Sequence, residues 1–132
     1  MLAQALDGLP LEACGLFAGP APTDTLGPDG LADATVTRFY PCENEAQSSK
    51  LYTVGGLDFL RSDRDAEGNG WQLLGVMHSH THTDAHPSPT DVAQAPDPDW
   101  HYIIVSLRDD LPSLRSYRIV DGGITEEEVV LV

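Results

Sequence analysis

A chain of 132 residues has room for one domain around a single sizeable core and falls short of the usual two-domain range. Its 21 acidic residues against 7 basic ones give a net charge of −14, which repels phosphate backbones and anionic lipid surfaces and so excludes nucleic acid and membrane as partners. No stretch approaches the ~20 apolar residues that span a bilayer, and the N-terminus lacks the basic and apolar regions of a secretory signal, so the expected location is the cytoplasm.

We read the acidic charge as solubility or adaptation to salt rather than as attraction of a basic partner. In chain order, residues 1–7 read as the closing turns of a helix, with Gly8 as its cap and Pro10 shortly after. Residues 12–19 form a strand built on Cys14, Leu16 and Phe17, followed by a Pro/Gly/Asp-rich loop over residues 20–33. Alternation predicts a second strand over 35–40 and a short third over 51–54. Leu57, Phe59 and Leu60 predict a helix that ends in the polar stretch 61–70. An apolar run, 71–77, leads as a strand into His78; a short helix runs from Ser88 to about Ala95; strands follow over 101–107, 114–120 and 124–132, the last two joined at Asp121-Gly122-Gly123. Mostly strands with two or three helices predict a mixed α/β sheet covered by helices, with residues 1–132 as one domain. Cys14 and Cys42 are too few for a disulfide framework and occur in no Cys-x-x-Cys pattern, so both read as buried thiols; a nucleophilic role for Cys14 is the weaker reading.

The chemistry concentrates in His78-Ser79-His80, followed after seven residues by Ser88 and then by Asp91: His-x-His-x7-Ser-x-x-Asp. Side chains alternate along a strand, so His78 and His80 share a face at its end and can share one cation. Zinc takes nitrogen and carboxylate ligands, three from the protein in a catalytic site with the fourth position left to water, and Asp91 supplies the third. Ser88-x-x-Asp91 is also a helix capping box, which needs no metal, and five histidines between 78 and 101 could form a non-specific tract. The fixed spacing from a paired His-x-His to a capped helix start favours the metal site. His82 and His86 read as rim residues and His101 as a histidine at the core boundary, while Asp84 is a candidate support for a ligand.

Hydrolysis of an amide also needs a group that takes a proton from water and gives one to the leaving nitrogen. Glu12 stands just before an apolar segment, and Glu43 and Glu45 compete with it.

With Glu12 the pattern becomes Glu-xn-His-Ser-His-x7-Ser-x-x-Asp, and the chain resembles the JAMM (MPN+) metalloproteases. The resemblance rests on Glu12-Ala13-Cys14-Gly15-Leu16, Gly75-Val76-Met77-His78-Ser79-His80 and Pro87-Ser88-Pro89-Thr90-Asp91. The segments 101–107 and 114–122 are similar to its prokaryotic branch, which includes peptidases that release cysteine from a ubiquitin-like sulfur carrier in cysteine biosynthesis. The resemblance implies a single α/β/α sandwich of the cytidine-deaminase-like type, with Zn²⁺ on His78, His80 and Asp91. It further implies Glu12 as general acid and base, Ser88 as the stabiliser of the oxyanion, and a ubiquitin-like or sulfur-carrier protein ending in Gly-Gly as substrate. Removal of such a modifier from protein lysines and a non-catalytic MPN scaffold for ubiquitin-like proteins are the alternatives. A deaminase is not, because His-x-Glu and Pro-Cys-x-x-Cys are both missing. Relatives usually carry a strand and a longer helix before Glu-Ala-Cys-Gly, so either the start is late or the sheet lacks an edge strand. The short segments 61–70 and 96–99 leave no room for the insertions that read polyubiquitin linkages.

Overall fold

The computed structural model describes residues 1–22 and 33–131. Three helices, α1 (Leu2–Gly8), α2 (Gly56–Gly68) and α3 (Pro89–Gln94), accompany six strands: β1 (Cys14–Gly19), β2 (Arg38–Cys42), β3 (Gln72–His80), β4 (His101–Ser106), β5 (Ser113–Val120) and β6 (Gly123–Glu127). The sheet runs β2-β1-β3-β4-β5-β6, with β3 and β4 parallel and every other neighbour pair antiparallel. The expected mixed α/β sheet is present.

Strand alternation divides the core into two layers. Cys14, Leu16, Ala18, Val76 and Tyr102 face one side, where Ala66 of α2 and Val92 of α3 close over them. Phe17, Leu74, Met77, Ile103 and Val105 face the other, where Ala5 of α1 packs. The register of β1 on β3 shifts between Phe17 and Ala18, so Leu73 joins Val76 in one layer and Leu74 joins Met77 in the other, while His78 and His80 keep the α2 and α3 side. Gly75 lies where β3 begins its pairing with β4, and a side chain there would strike the His101 carbonyl at 1.9 Å.

Several expected boundaries move, each for a physical reason. Helix α2 runs through the polar stretch instead of ending in it, because its buried positions are the small residues Ser62 and Ala66, four apart, which let it lie close on β1 and β3. Strand β2 starts at Arg38 rather than residue 35 and extends through Pro41 to Cys42; a proline fits there because β2 is an edge strand. Residues 51–54 form no strand, since only Val54 makes a bridge, to Asn44, and the Asn44 side chain takes the Leu51 carbonyl and the Thr53 amide that a ladder would have used. Strand β6 stops at Glu127, and Val129, Val130 and Leu131 beyond it are 44%, 66% and 95% exposed. The expected loop over 20–33 falls mostly outside the described residues, as does Val132 at the end of the expected last strand. No helix among the described residues is long and apolar enough to cross a membrane.

Candidate metal and catalytic site

The carboxyl end of β3 supplies His78 and His80, and both are buried. Ser88 caps α3 by accepting the Asp91 amide on its Oγ at 3.1 Å, while Asp91 Oδ2 accepts the Ser88 amide at 2.9 Å. The capping box read from the sequence is therefore formed, and it swings the Asp91 carboxylate toward the histidines. His78 Nε2 and His80 Nε2 lie 3.1 Å apart, and Asp91 Oδ2 lies 3.2 and 3.0 Å from them. In a tetrahedral site with bonds of ~2.0–2.1 Å, ligand atoms stand roughly 3.3 Å apart, so these three donors already form one face of such a site.

Each imidazole is oriented differently. His80 donates its Nδ1–H to the Asp84 carbonyl at 2.8 Å, which orients the ring and turns Nε2 toward Asp91. Asp84 thus holds His80 in place, through its backbone carbonyl. His78 Nδ1 is buried without a partner; its ring is held by stacking on Tyr52, with centroids 4.3 Å apart and planes 17° from parallel. Burial holds His78 below the ordinary imidazole range, against the opposing pull of Asp91. Burial also acts downward on His80, but the Asp91 bond and the Asp84 carbonyl outweigh it and raise that imidazole. Asp91 would be raised by burial, yet its bonds to His78 and His80 hold its carboxylate well below the usual range.

Of the three candidate glutamates, Glu43 and Glu45 are exposed, whereas Glu12 is 3% exposed and its Oε1 is buried without a hydrogen-bond partner. Glu12 offers a carboxylate oxygen that lies within 4.8 Å of a ring nitrogen on each of His78 and His80. By proximity alone Glu12, His78 and His80 could also hold an ion. The contacts of Asp91 are closer, at 3.0 and 3.2 Å, so the three donor atoms packed most tightly together are His78 Nε2, His80 Nε2 and Asp91 Oδ2. Burial pushes the Glu12 carboxyl up to about 7, with His80 pulling it down and Asp91 pushing it further up. A carboxyl near 7 exchanges protons readily at neutral pH.

His82 and His86 are exposed, and His101 sits at the core boundary against Glu127, as expected of them. Both cysteines are buried and free, and burial first of all pushes Cys14 up to about 12, which removes it as a nucleophile. The sequence reading overlooked Ser79, whose Oγ accepts the Ala13 amide at 2.7 Å while its own amide bonds the Ala13 carbonyl at 2.9 Å. It also overlooked Tyr52 and Asn44, which carry no motif; Asn44 lay hidden between the two competing glutamates.

A family model for prokaryotic homologs of the JAB domain matches residues 1–120. The chain belongs to this family. It is a JAMM-type peptidase in fold and in relatedness. The chain is 41% identical over 133 aligned positions to the CysO-cysteine peptidases of Mycobacterium bovis and Mycobacterium tuberculosis, covering 100% of itself and 84% of each relative. Among solved structures, a Desulfitobacterium hafniense protein superposes with a TM-score of 0.86 at 38% identity, over 100% of this chain and 86% of that one. A JAB1/MPN domain protein from Archaeoglobus fulgidus shares the fold at a TM-score of 0.51 and 20% identity, over 98% of this chain and 87% of that one.

Proposed function

We propose that this chain is a zinc peptidase that hydrolyses the amide after the C-terminal Gly-Gly of a sulfur-carrier or ubiquitin-like protein, releasing cysteine for cysteine biosynthesis in the cytoplasm. The observation that carries the reading is the convergence of His78 Nε2, His80 Nε2 and Asp91 Oδ2 at 3.0–3.2 Å beside an unpartnered Glu12. The donor set fits Zn²⁺: two neutral imidazoles and a carboxylate, three protein ligands, as in open catalytic sites. When bound, zinc would acidify a water and polarise the scissile carbonyl.

The chain's own groups account for the proton traffic. Glu12 takes a proton from the attacking water and delivers it to the leaving nitrogen as the C–N bond breaks, giving a carrier carboxylate and a free amine. The Ser88 hydroxyl oxygen is engaged as an acceptor by the Asp91 amide, which leaves its proton free to donate to the developing oxyanion. Beside the site, a cleft of about 610 Å³ is lined by Leu16, Tyr52, Val54, Phe59, Val76 and Trp100. Tyr52 stacks on His78, and Val76 precedes His78 by two residues on the same face, so the cleft supports an extended apolar chain end leading to the metal ligands. The 41% identity to the mycobacterial CysO-cysteine peptidases supports cysteine as the released group.

The test is cleavage of a Gly-Gly carrier fused through its C-terminus to cysteine, with zinc, with chelator, and with His78→Ala. Zinc-dependent cysteine release that the substitution abolishes is the expected result. Absence of release from folded, zinc-loaded protein overturns the cysteine assignment, and cleavage of a lysine-linked carrier in its place assigns an isopeptidase.

A further inference from the structure

We infer that Asn44 is a positioning residue that aims Glu12 by binding its carbonyl, and His78 by binding the backbone on either side of Tyr52, which stacks on it. This rests on the reading of Glu12 as proton carrier. A carboxylate that takes and gives a proton works best with the oxygen it uses free of other donors, since each donor there would compete for the lone pair. Glu12 Oε1 meets that condition, buried and unpartnered, and the hydrogen bonds that hold the residue fall on its main chain.

The main chain of Glu12 is gripped from two sides. Its amide donates to the Ser48 carbonyl at 2.8 Å, and its own carbonyl accepts Asn44 Nδ2 at 2.9 Å. Asn44 is 8% exposed and its amide is fully used. Nδ2 also donates to the Leu51 carbonyl at 3.0 Å and more weakly to the Ser48 carbonyl at 3.4 Å, while Oδ1 accepts the Ala46 and Thr53 amides at 3.1 and 3.0 Å. Every Nδ2 partner is a carbonyl and every Oδ1 partner is an N–H, so only one orientation of the amide satisfies them all. One side chain therefore joins residue 12, the turn at 46–48 and the segment 51–53. That segment carries Tyr52, whose ring stacks on His78 and is the contact that holds an imidazole with no partner at Nδ1. Asn44 touches neither metal ligand nor reacting atoms, yet it fixes the frame of the proton carrier and of one imidazole.

The experiment has a kinetic arm and an exchange arm. Asn44→Ala is expected to retain one zinc, to lower kcat about ten- to hundred-fold, as misplacement of a reacting group does, and to move KM by less than about threefold. In a Glu12→Gln background the same substitution should cost clearly less than in the wild type, because one of the two groups it aims is already gone. A full additional loss in that background overturns the proposal. Amide hydrogen exchange at Glu12 and Thr53 should accelerate at least about tenfold while the β4 and β5 amides hold steady; unchanged exchange at Glu12 overturns it as well. Asn44→Asp, which keeps the acceptor side for Ala46 and Thr53 and loses the donor to Glu12, should reproduce the kinetic loss. In the unaltered protein the Glu12, Ala46 and Thr53 amides should open in one common event, and independent opening counts against the clasp even where a variant fails to fold. If Glu12→Gln retains full turnover, the assignment of Glu12 fails, and the exchange arm alone decides whether Asn44 holds residue 12.

Discussion

Two histidine–carboxylate contacts lie at opposite ends of the parallel pair β3 and β4, and they are built to different ends. At the start of β4, His101 Nδ1 meets Glu127 Oε1 at 2.5 Å, and the same oxygen accepts the Ser116 hydroxyl at 2.7 Å. Donors and acceptor match there, and the contact ties β4, β5 and β6 together. At the end of β3, Asp91 Oδ2 faces two Nε2 atoms that also face each other, and Glu12 stands by with an unpartnered oxygen. Atoms able to act as acceptors crowd that cluster from four side chains, an arrangement that suits a cation. Burial and a histidine–carboxylate pair are common to both places; the surplus of acceptors belongs to one.

The contrast can be broken by substitution. His78→Ala should abolish turnover, by at least roughly 10³-fold, together with zinc binding, as read by peptide release and by metal content. Glu12→Gln should lower kcat by ~10²–10⁴, as loss of a general base does, and leave one zinc bound on the proposed ligands His78, His80 and Asp91. Ser88→Ala should lower kcat by ~10²–10³ with little change in KM, and lost capping of α3 should cost about 1 kcal/mol in thermal or urea unfolding. At the other end of the strands, Glu127→Ala should destabilise by about 1–2 kcal/mol and leave kcat/KM within about twofold. Loss of turnover in that variant would make the two contacts equivalent and the comparison false.

A pH experiment on metal-free protein sharpens the same point. The folded-state pKa of Glu12, about 7, lies above its ordinary value of 4.5, so the folded protein binds the proton more tightly than the unfolded chain. The ionised carboxylate then destabilises above that window and does not below it. Glu12→Gln should accordingly raise the unfolding free energy at pH 8, by on the order of 1–3 kcal/mol, and the gain should vanish by pH 4. An equal effect at both pH values contradicts the burial of the charge.

Much of this was legible in the sequence because the local patterns agreed with one another. His78 and His80 share a face through strand alternation, and Ser88 with Asp91 formed the capping box that delivers the carboxylate. The lengths of α2 and of the segment 51–54 were not legible, for a shared reason. Ser62 and Ala66 pack by being small, and Asn44 replaces strand partners with one side chain, so neither leaves a hydrophobic period to read. The choice of Glu12 over Glu43 and Glu45 needed burial, which depends on residues distant in sequence: Ser48 and Asn44 on one side and Ser79 on the other.

The assignment of ligands and proton carrier stands on the closer approach of Asp91 than of Glu12 to the imidazoles, and zinc affinity of two variants tests it most directly. With Asp91→Asn and Glu12→Gln titrated against a competing chelator, the account expects a loss of about 10-fold or more for the first and wild-type affinity for the second. Retained affinity in Asp91→Asn together with lost affinity in Glu12→Gln would make Glu12 the third ligand and contradict the account.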